Sequence, residues 1–206
     1  MSGEPDLVQG PWTRRSVSID GGPHFETQFV VWLQAGTCYA DLRVPLHPAA
    51  DQRCFTGRSF WVGDTYRWTH ALDLEANDGR ATPAADDFGD LRWDGDTLVE
   101  TGMFPTGRGT IAYEEVWVRL PGGDSPWLAL ESPGRCLVRV GNHAITVVDA
   151  RDGGGSFAAV YRVLTPEGWR AEATIGAVDG LPDPDTAADE PGWKVVHRGT
   201  REHVSS

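Results

Sequence analysis

Two short segments hold the residues best suited to chemistry. In Cys38–Val44 (CYADLRV), Tyr39, Asp41 and Arg43 recur at every second position, and in Thr110–Leu120 so do Tyr113, Glu115, Trp117 and Arg119. A carboxylate beside a tyrosine hydroxyl can take up and return a proton. An arginine nearby can grip an anionic group through two parallel hydrogen bonds. If the chain is an enzyme, Asp41 or Glu115 is the expected general base and Tyr39 or Tyr113 the proton donor. If it is a binding protein, Arg43 and Arg119 are the expected polar grips, with Gln34 as a further polar contact. Trp32, Trp68 and Trp117 would then be indole walls for a flat or apolar molecule, with His70 a titratable group in phase with Trp68.

A spacing of two places these side chains on one face of a strand. The opposite faces, Ala40, Leu42 and Val44 in one segment and Val116, Val118 and Leu120 in the other, are apolar. In a simple sandwich the mixed face would meet solvent. In a barrel it would line the lumen, with the apolar face packed under loops or against another subunit. Aromatic bodies carrying a few polar groups resemble a pocket lining, and the near balance of Asp41 and Glu115 against Arg43 and Arg119 is what burial would require.

The elements that must position these residues are short. Thr27–Leu33 and Cys38–Val44 are joined by a turn at Ala35-Gly36; Ser59–Val62 and Thr65–Leu72 flank Gly63-Asp64; Asp90–Trp93 and Thr97–Thr101 flank Asp94-Gly95-Asp96. Such pairs signal hairpins. Thr110–Leu120, Trp127–Glu131, Leu137–Val140, Ala144–Asp149, Ala158–Leu164, Trp169–Ile175 and Lys194–Arg198 follow, and Ser16–Ile19 is a candidate opening strand. Arg58 falls in an expected loop. Asp20–Pro23 reads as a turn, Glu75–Gly89 as a long connection, and Asp179–Pro191 (DGLPDPDTAADEP) as a solvated acidic loop. At least ten sequential strands predict an all-β, antiparallel up-and-down barrel, because closure removes exposed edges. One such domain is expected to span residues 1–206, with a two-sheet sandwich as the alternative.

Composition narrows the function. The net charge of −12, with no basic cluster, argues against a nucleic-acid partner. No apolar run reaches the roughly 20 residues of a membrane-spanning helix, and the first ten residues lack the apolar core of a signal peptide. Cys38, Cys54 and Cys136 are odd in number and widely spaced, so buried free thiols in a reducing cytoplasm are expected. None of the six histidines forms a metal motif, and no nucleotide-binding or nucleophile-elbow pattern occurs, so neither a metal nor a cofactor is expected.

A family pattern runs through the same residues. It comprises Val31-Trp32-Leu33-Gln34 through Tyr39-Ala40-Asp41-Leu42-Arg43-Val44-Pro45, Trp12 with Arg14-Arg15, Phe55-x-Gly57, and Trp68 followed by Asp73. Asp87–Gly89, Gly95-Asp96-x-Leu98-x-Glu100-x-Gly102, Tyr113-x-Glu115-x-Trp117-x-Arg119 and Gly141-x-His143 with Asp149 and Arg151 complete it. Over residues 12 to 151 the chain resembles uncharacterised bacterial lipocalin-like (calycin) proteins, themselves similar to a fungal casein-kinase-interacting protein built of lipocalin-like barrels. It departs from them at Trp68-Thr69-His70, where relatives tend to have Trp-His-Arg. The resemblance implies a lipocalin-like fold and no activity. The leading expectation is a cytoplasmic barrel that binds a small, largely apolar molecule with a polar or anionic handle gripped by Arg43. The alternatives are a cofactor-independent isomerase, cyclase or hydratase in the same pocket, and a protein-interaction module with a filled barrel.

Overall fold

The computed structural model describes residues 8–47, 51–75, 87–106, 109–124 and 126–199. Its first half is a closed antiparallel barrel of eight strands in chain order. They are β1 (Gly10–Ile19), β2 (Gln28–Ala35), β3 (Cys38–Pro45), β4 (Arg53–Val62), β5 (Thr65–Asp73), β6 (Asp87–Asp94), β7 (Thr97–Thr106) and β8 (Gly109–Arg119). Trp12 closes the ring, pairing with Trp32 on β2 and with Arg119 on β8. The up-and-down order expected from the hairpin signals is present. Much of the expected connection Glu75–Gly89, namely residues 76–86, lies outside the described residues.

The barrel ends earlier than the strand pattern suggested. The remaining strands form a separate six-stranded antiparallel sheet, ordered β13-β12-β11-β10-β9-β14. They are β9 (Trp127–Ser132), β10 (Arg135–Val140), β11 (His143–Asp149), β12 (Phe157–Thr165), β13 (Gly168–Ile175) and β14 (Lys194–Gly199). Alternation cannot tell a barrel stave from a strand of a second sheet, because both are apolar on one face at least.

The apolar outer faces of β2, β3 and β4 explain this sheet. Val31, Leu33, Ala35, Cys38, Ala40, Leu42 and Cys54 point away from the lumen and share one core with Ala129, Cys136, Val138, Ile145, Val147 and Ala159. The barrel's apolar flank is therefore covered by the chain's own second sheet. Leu33 and Leu42 are both fully buried there, each worth about 1.5–3 kcal/mol of apolar burial. All three cysteines sit in this seam, buried and unbridged, where burial pushes the Cys136 thiol up to about 12.

Polar ties fix the two sheets in register. Arg58 lies in β4, not in a loop, and its guanidinium forms a two-pronged ion pair with Glu131 of β9. Arg151 is paired with Asp149 and donates to the carbonyls of Asp73 and Leu74 at 2.7 and 2.9 Å, anchoring the end of β5. The acidic stretch Asp179–Pro191 is a loop but not a free one. Asp185 accepts hydrogen bonds from Arg139 and Trp169, and Ala187 is buried against Leu130 and Leu137 on the sheet's outer face.

Candidate functional site

Because β2 and β3 bury both faces, their alternate residues necessarily fill the lumen: Val30, Trp32 and Gln34 from β2, and Tyr39, Asp41 and Arg43 from β3. The row Tyr113, Glu115, Trp117 and Arg119 of β8 faces the same interior. The two rows meet as expected, but they divide between opposite ends of the barrel.

One end is closed by indoles. Trp12 stacks on Trp32 at 6.1 Å between ring centroids, and Trp32 meets Trp68 and Trp117 edge to face at 5.8 and 5.5 Å. Gln34 works within this plug. Its amide oxygen accepts from Trp32 Nε1 (3.1 Å) and Ser59 Oγ (2.9 Å), and its nitrogen donates to the Gly36 carbonyl (2.7 Å). The Arg119 guanidinium covers the Trp12 ring at 4.2 Å and donates to the Gln9 carbonyl. Gln34 and Arg119, expected as ligand contacts, therefore stand at the sealed end. Their polar atoms are engaged by neighbouring side chains and the backbone, as buried polar groups must be.

The other end is open and charged. Arg43 donates to Asp41 through two nitrogens (2.8 and 3.2 Å), lies 3.6 Å from Glu115 and covers the Phe55 ring at 5.3 Å. Arg14 bridges Glu115 and Glu26, the latter at 2.7 and 3.0 Å. Burial pushes the Asp41 carboxyl up while the Arg43 charge opposes it. Tyr39 Oη, buried against the lumen wall, donates to the Thr69 carbonyl at 3.3 Å. Of the four expected acid–base residues, Tyr39, Asp41 and Glu115 are thus held by hydrogen bonds or ion pairs within the wall, and Tyr113 donates to Glu100.

The chemically uncommitted group is Glu100. On β7 it stands directly opposite Glu115 of β8, both side chains buried. Glu115 has two arginines. Glu100 accepts only from neutral donors, Tyr113 Oη (2.8 Å) and Trp117 Nε1 (3.1 Å). Burial and then the Glu115 charge raise its carboxyl to about 8, against the hydrogen bond from Tyr113. Two glycines leave space for it: a Cβ at Gly102 would stand 2.5 Å from Tyr113 Oη, and one at Gly89 would stand 3.0 Å from Glu100 Cγ.

His70 forms the far rim. It stacks on Phe55 (4.5 Å, 7°) and places its ring nitrogens 2.7 Å from Asp73 and 3.3 Å from Asp87. Burial alone would lower its affinity for a proton, but these two carboxylates outweigh burial and lift the ring to about 9.

Between these groups lies a small pocket of about 30 Å³. Trp32, Trp68 and Trp117 floor it, Tyr39 and Phe55 flank it, and Asp41, Arg43, Glu100 and Asp87 supply its polar atoms. A wider hollow of about 580 Å³ runs over the outer surface past Ser18, His24, Thr101 and Glu114. It is broadly open to water and lacks the enclosure that makes buried charges effective, so the lumen is the stronger candidate. Among the described residues no group of three or more His, Cys, Asp or Glu side chains is placed to hold a metal ion.

Sequence reasoning missed Glu100, Arg14, Phe55, Asp73 and Asp87 as site residues. Glu100 carries a readable signal, its alternation with Leu98 and Gly102 in the strand after the Asp94-Gly95-Asp96 turn. Arg14 was hidden because β1 begins at Gly10, six residues before the expected Ser16.

No family model matches the chain, and no curated protein matches it. The fold is shared with the crystal structure of an uncharacterized protein from Saccharomyces cerevisiae. The TM-score is 0.70 at 13% identity, and the match covers 93% of this chain and 99% of that one. The barrel occupies little more than half of this chain, so the likeness extends to the second sheet as well. What the two proteins share is this fold.

Proposed function

We propose that the barrel is a small-molecule-binding protein whose ligand enters at the open end. Its polar head rests against Glu100 on the indole floor and its apolar remainder passes Phe55 towards the mouth. The observation that carries this reading is a buried carboxyl without a cationic partner, facing a pocket that is otherwise aromatic. Clefts with apolar walls and a few placed polar groups are the usual form of ligand sites. Arg43, the expected grip for an anionic handle, is engaged by Asp41 and Glu115, so the handle is read by Glu100 instead.

A second reading, acid–base catalysis by Glu100 with Tyr113 behind it, is favoured by a carboxyl held near 8, where it can give and regain a proton. The pocket's size supports binding of a head group over turnover of a whole substrate.

Native mass spectrometry of protein purified from its own organism tests the binding reading. A retained small molecule that is lost in Glu100→Gln is the expected result. A bare mass, together with unmoved Trp32, Trp68 and Trp117 indole N–H resonances across a panel of metabolites, would contradict it.

A further inference from the structure

The balance of charge at the open end indicates which kind of head group fits. Glu26, Asp41, Asp73, Asp87, Glu100 and Glu115 outnumber Arg14, Arg43 and His70. Each of these cations already has carboxylate partners. None of the ion pairs among the described residues includes Glu100. Among the charges around it, Glu115, directly across the β7–β8 ladder, and Asp87 at the mouth disfavour its ionised form, while Arg43, already held by Asp41 and Glu115, favours it without pairing to it. A buried carboxylate in that position is stabilised by an incoming positive charge more than by anything else. An anionic head would meet a surplus of like charge.

The walls argue the same way. Trp32, Trp68 and Trp117 with Tyr39 line the pocket with π systems, which attract cations, and Phe55 already carries the Arg43 guanidinium over its ring. Size then separates one cation from another. A water molecule needs roughly 10–15 Å³ of such space, so about 30 Å³ admits an ammonium group and the first carbon attached to it. A trimethylated nitrogen, with three more heavy atoms around the charge, needs more room than this.

We infer that the open end of the barrel is a primary-amine site in which the ligand's ammonium group sits on Glu100, within an aromatic enclosure, and its remainder leaves through the mouth past Asp87. This rests on the small-molecule reading above and narrows it to one class of ligand. An ammonium can donate three hydrogen bonds, and Glu100, Asp87 and Asp41 are the acceptors lining the pocket. The arrangement selects by two criteria at once, positive charge and a small head.

Calorimetry and indole N–H spectra on the full chain, with benzylammonium, benzyltrimethylammonium, benzyl alcohol and benzoate as probes, test the inference. Benzylammonium is expected to bind and to shift the Trp117 indole signal, with the other three at least about tenfold weaker, the scale of one charge-assisted hydrogen bond. Glu100→Gln should weaken benzylammonium by a similar factor while the remaining indole signals stay in place. If that variant does not fold, Asp87→Asn at the exposed rim serves in its stead, with a smaller loss expected. Equal or tighter binding of benzyl alcohol or benzoate at the same indoles would overturn the amine assignment and leave small-molecule binding standing. No response of Trp32, Trp68 or Trp117 to benzylammonium would overturn the inference outright; a ligand retained in the native mass spectrum would then still support the wider reading.

Discussion

Replacing Glu100 by glutamine changes the protein's stability in a direction that depends on pH. In the folded chain the carboxyl titrates near 8 against an ordinary value of 4.5, because it is buried and faces Glu115. Between those two values the folded state keeps a proton that the unfolded chain has released, so this group makes the fold less stable as pH rises from 4.5 towards 8. At about 1.4 kcal/mol per unit the ceiling is about 5 kcal/mol. Water entering from the mouth relieves part of the burial penalty and the repulsion, so we expect about 2–3 kcal/mol. Glutamine does not titrate. It can accept from Tyr113 but turns its amide N–H towards the Trp117 N–H, which costs about 1 kcal/mol. In urea unfolding from pH 4 to pH 9, wild type should be the more stable at the acid end and Glu100→Gln the more stable at the alkaline end, the two curves crossing between. Asp41, Arg43, Asp87, Tyr113 and Glu115, which face Glu100 from β3, β6 and β8, are present in both proteins, so the difference between the curves reports Glu100 together with its coupling to them. Parallel curves, or a variant less stable at pH 9, would show that Glu100 is not held protonated by burial and Glu115.

Other consequences are as direct. The His70 ring, raised to about 9 by Asp73 and Asp87 against the pull of burial, should titrate near 9 by NMR; its stabilising contribution is full below 6.5 and lost as pH passes 9. A midpoint at the ordinary 6.5 would show that the pairs with Asp73 and Asp87 do not form in solution. Asp41→Asn leaves the Arg43 charge with a weakened set of partners deep in the wall and should cost about 3–5 kcal/mol in denaturant unfolding; a loss under 1 kcal/mol would mean that this end is wet. Leu42→Ala, in the seam between the two sheets, should cost about 2–5 kcal/mol and lower one shared unfolding transition. Two separated transitions would show that the sheets unfold independently.

The fold was legible wherever a strand alternates and a turn residue punctuates it. Tyr39-x-Asp41-x-Arg43 and Tyr113-x-Glu115-x-Trp117 do face one interior, because their opposite faces are apolar and required cover. The nature of that cover was not legible. The alternation of Ala129, Cys136, Val138 and Ile145 carries no label saying whether those strands extend a ring or stack upon it, since packing on a neighbouring sheet and closing a barrel bury the same kinds of residue. Position along the barrel axis was also hidden. Arg43 and Arg119 look equivalent by strand phase, yet one stands at the charged mouth and the other on the Trp12 plug. Glu100 was overlooked because its significance comes from what it lacks: Glu115, its cross-strand partner, takes both arginines, and only coordinates reveal that division.

The carboxyl carbon of Glu100 can be followed by NMR through a pH titration with and without benzylammonium. A midpoint near 8 is expected for the free protein, moved to lower pH as the amine occupies the pocket. A midpoint near 4.5, unmoved by the amine, would contradict the amine-binding role of Glu100.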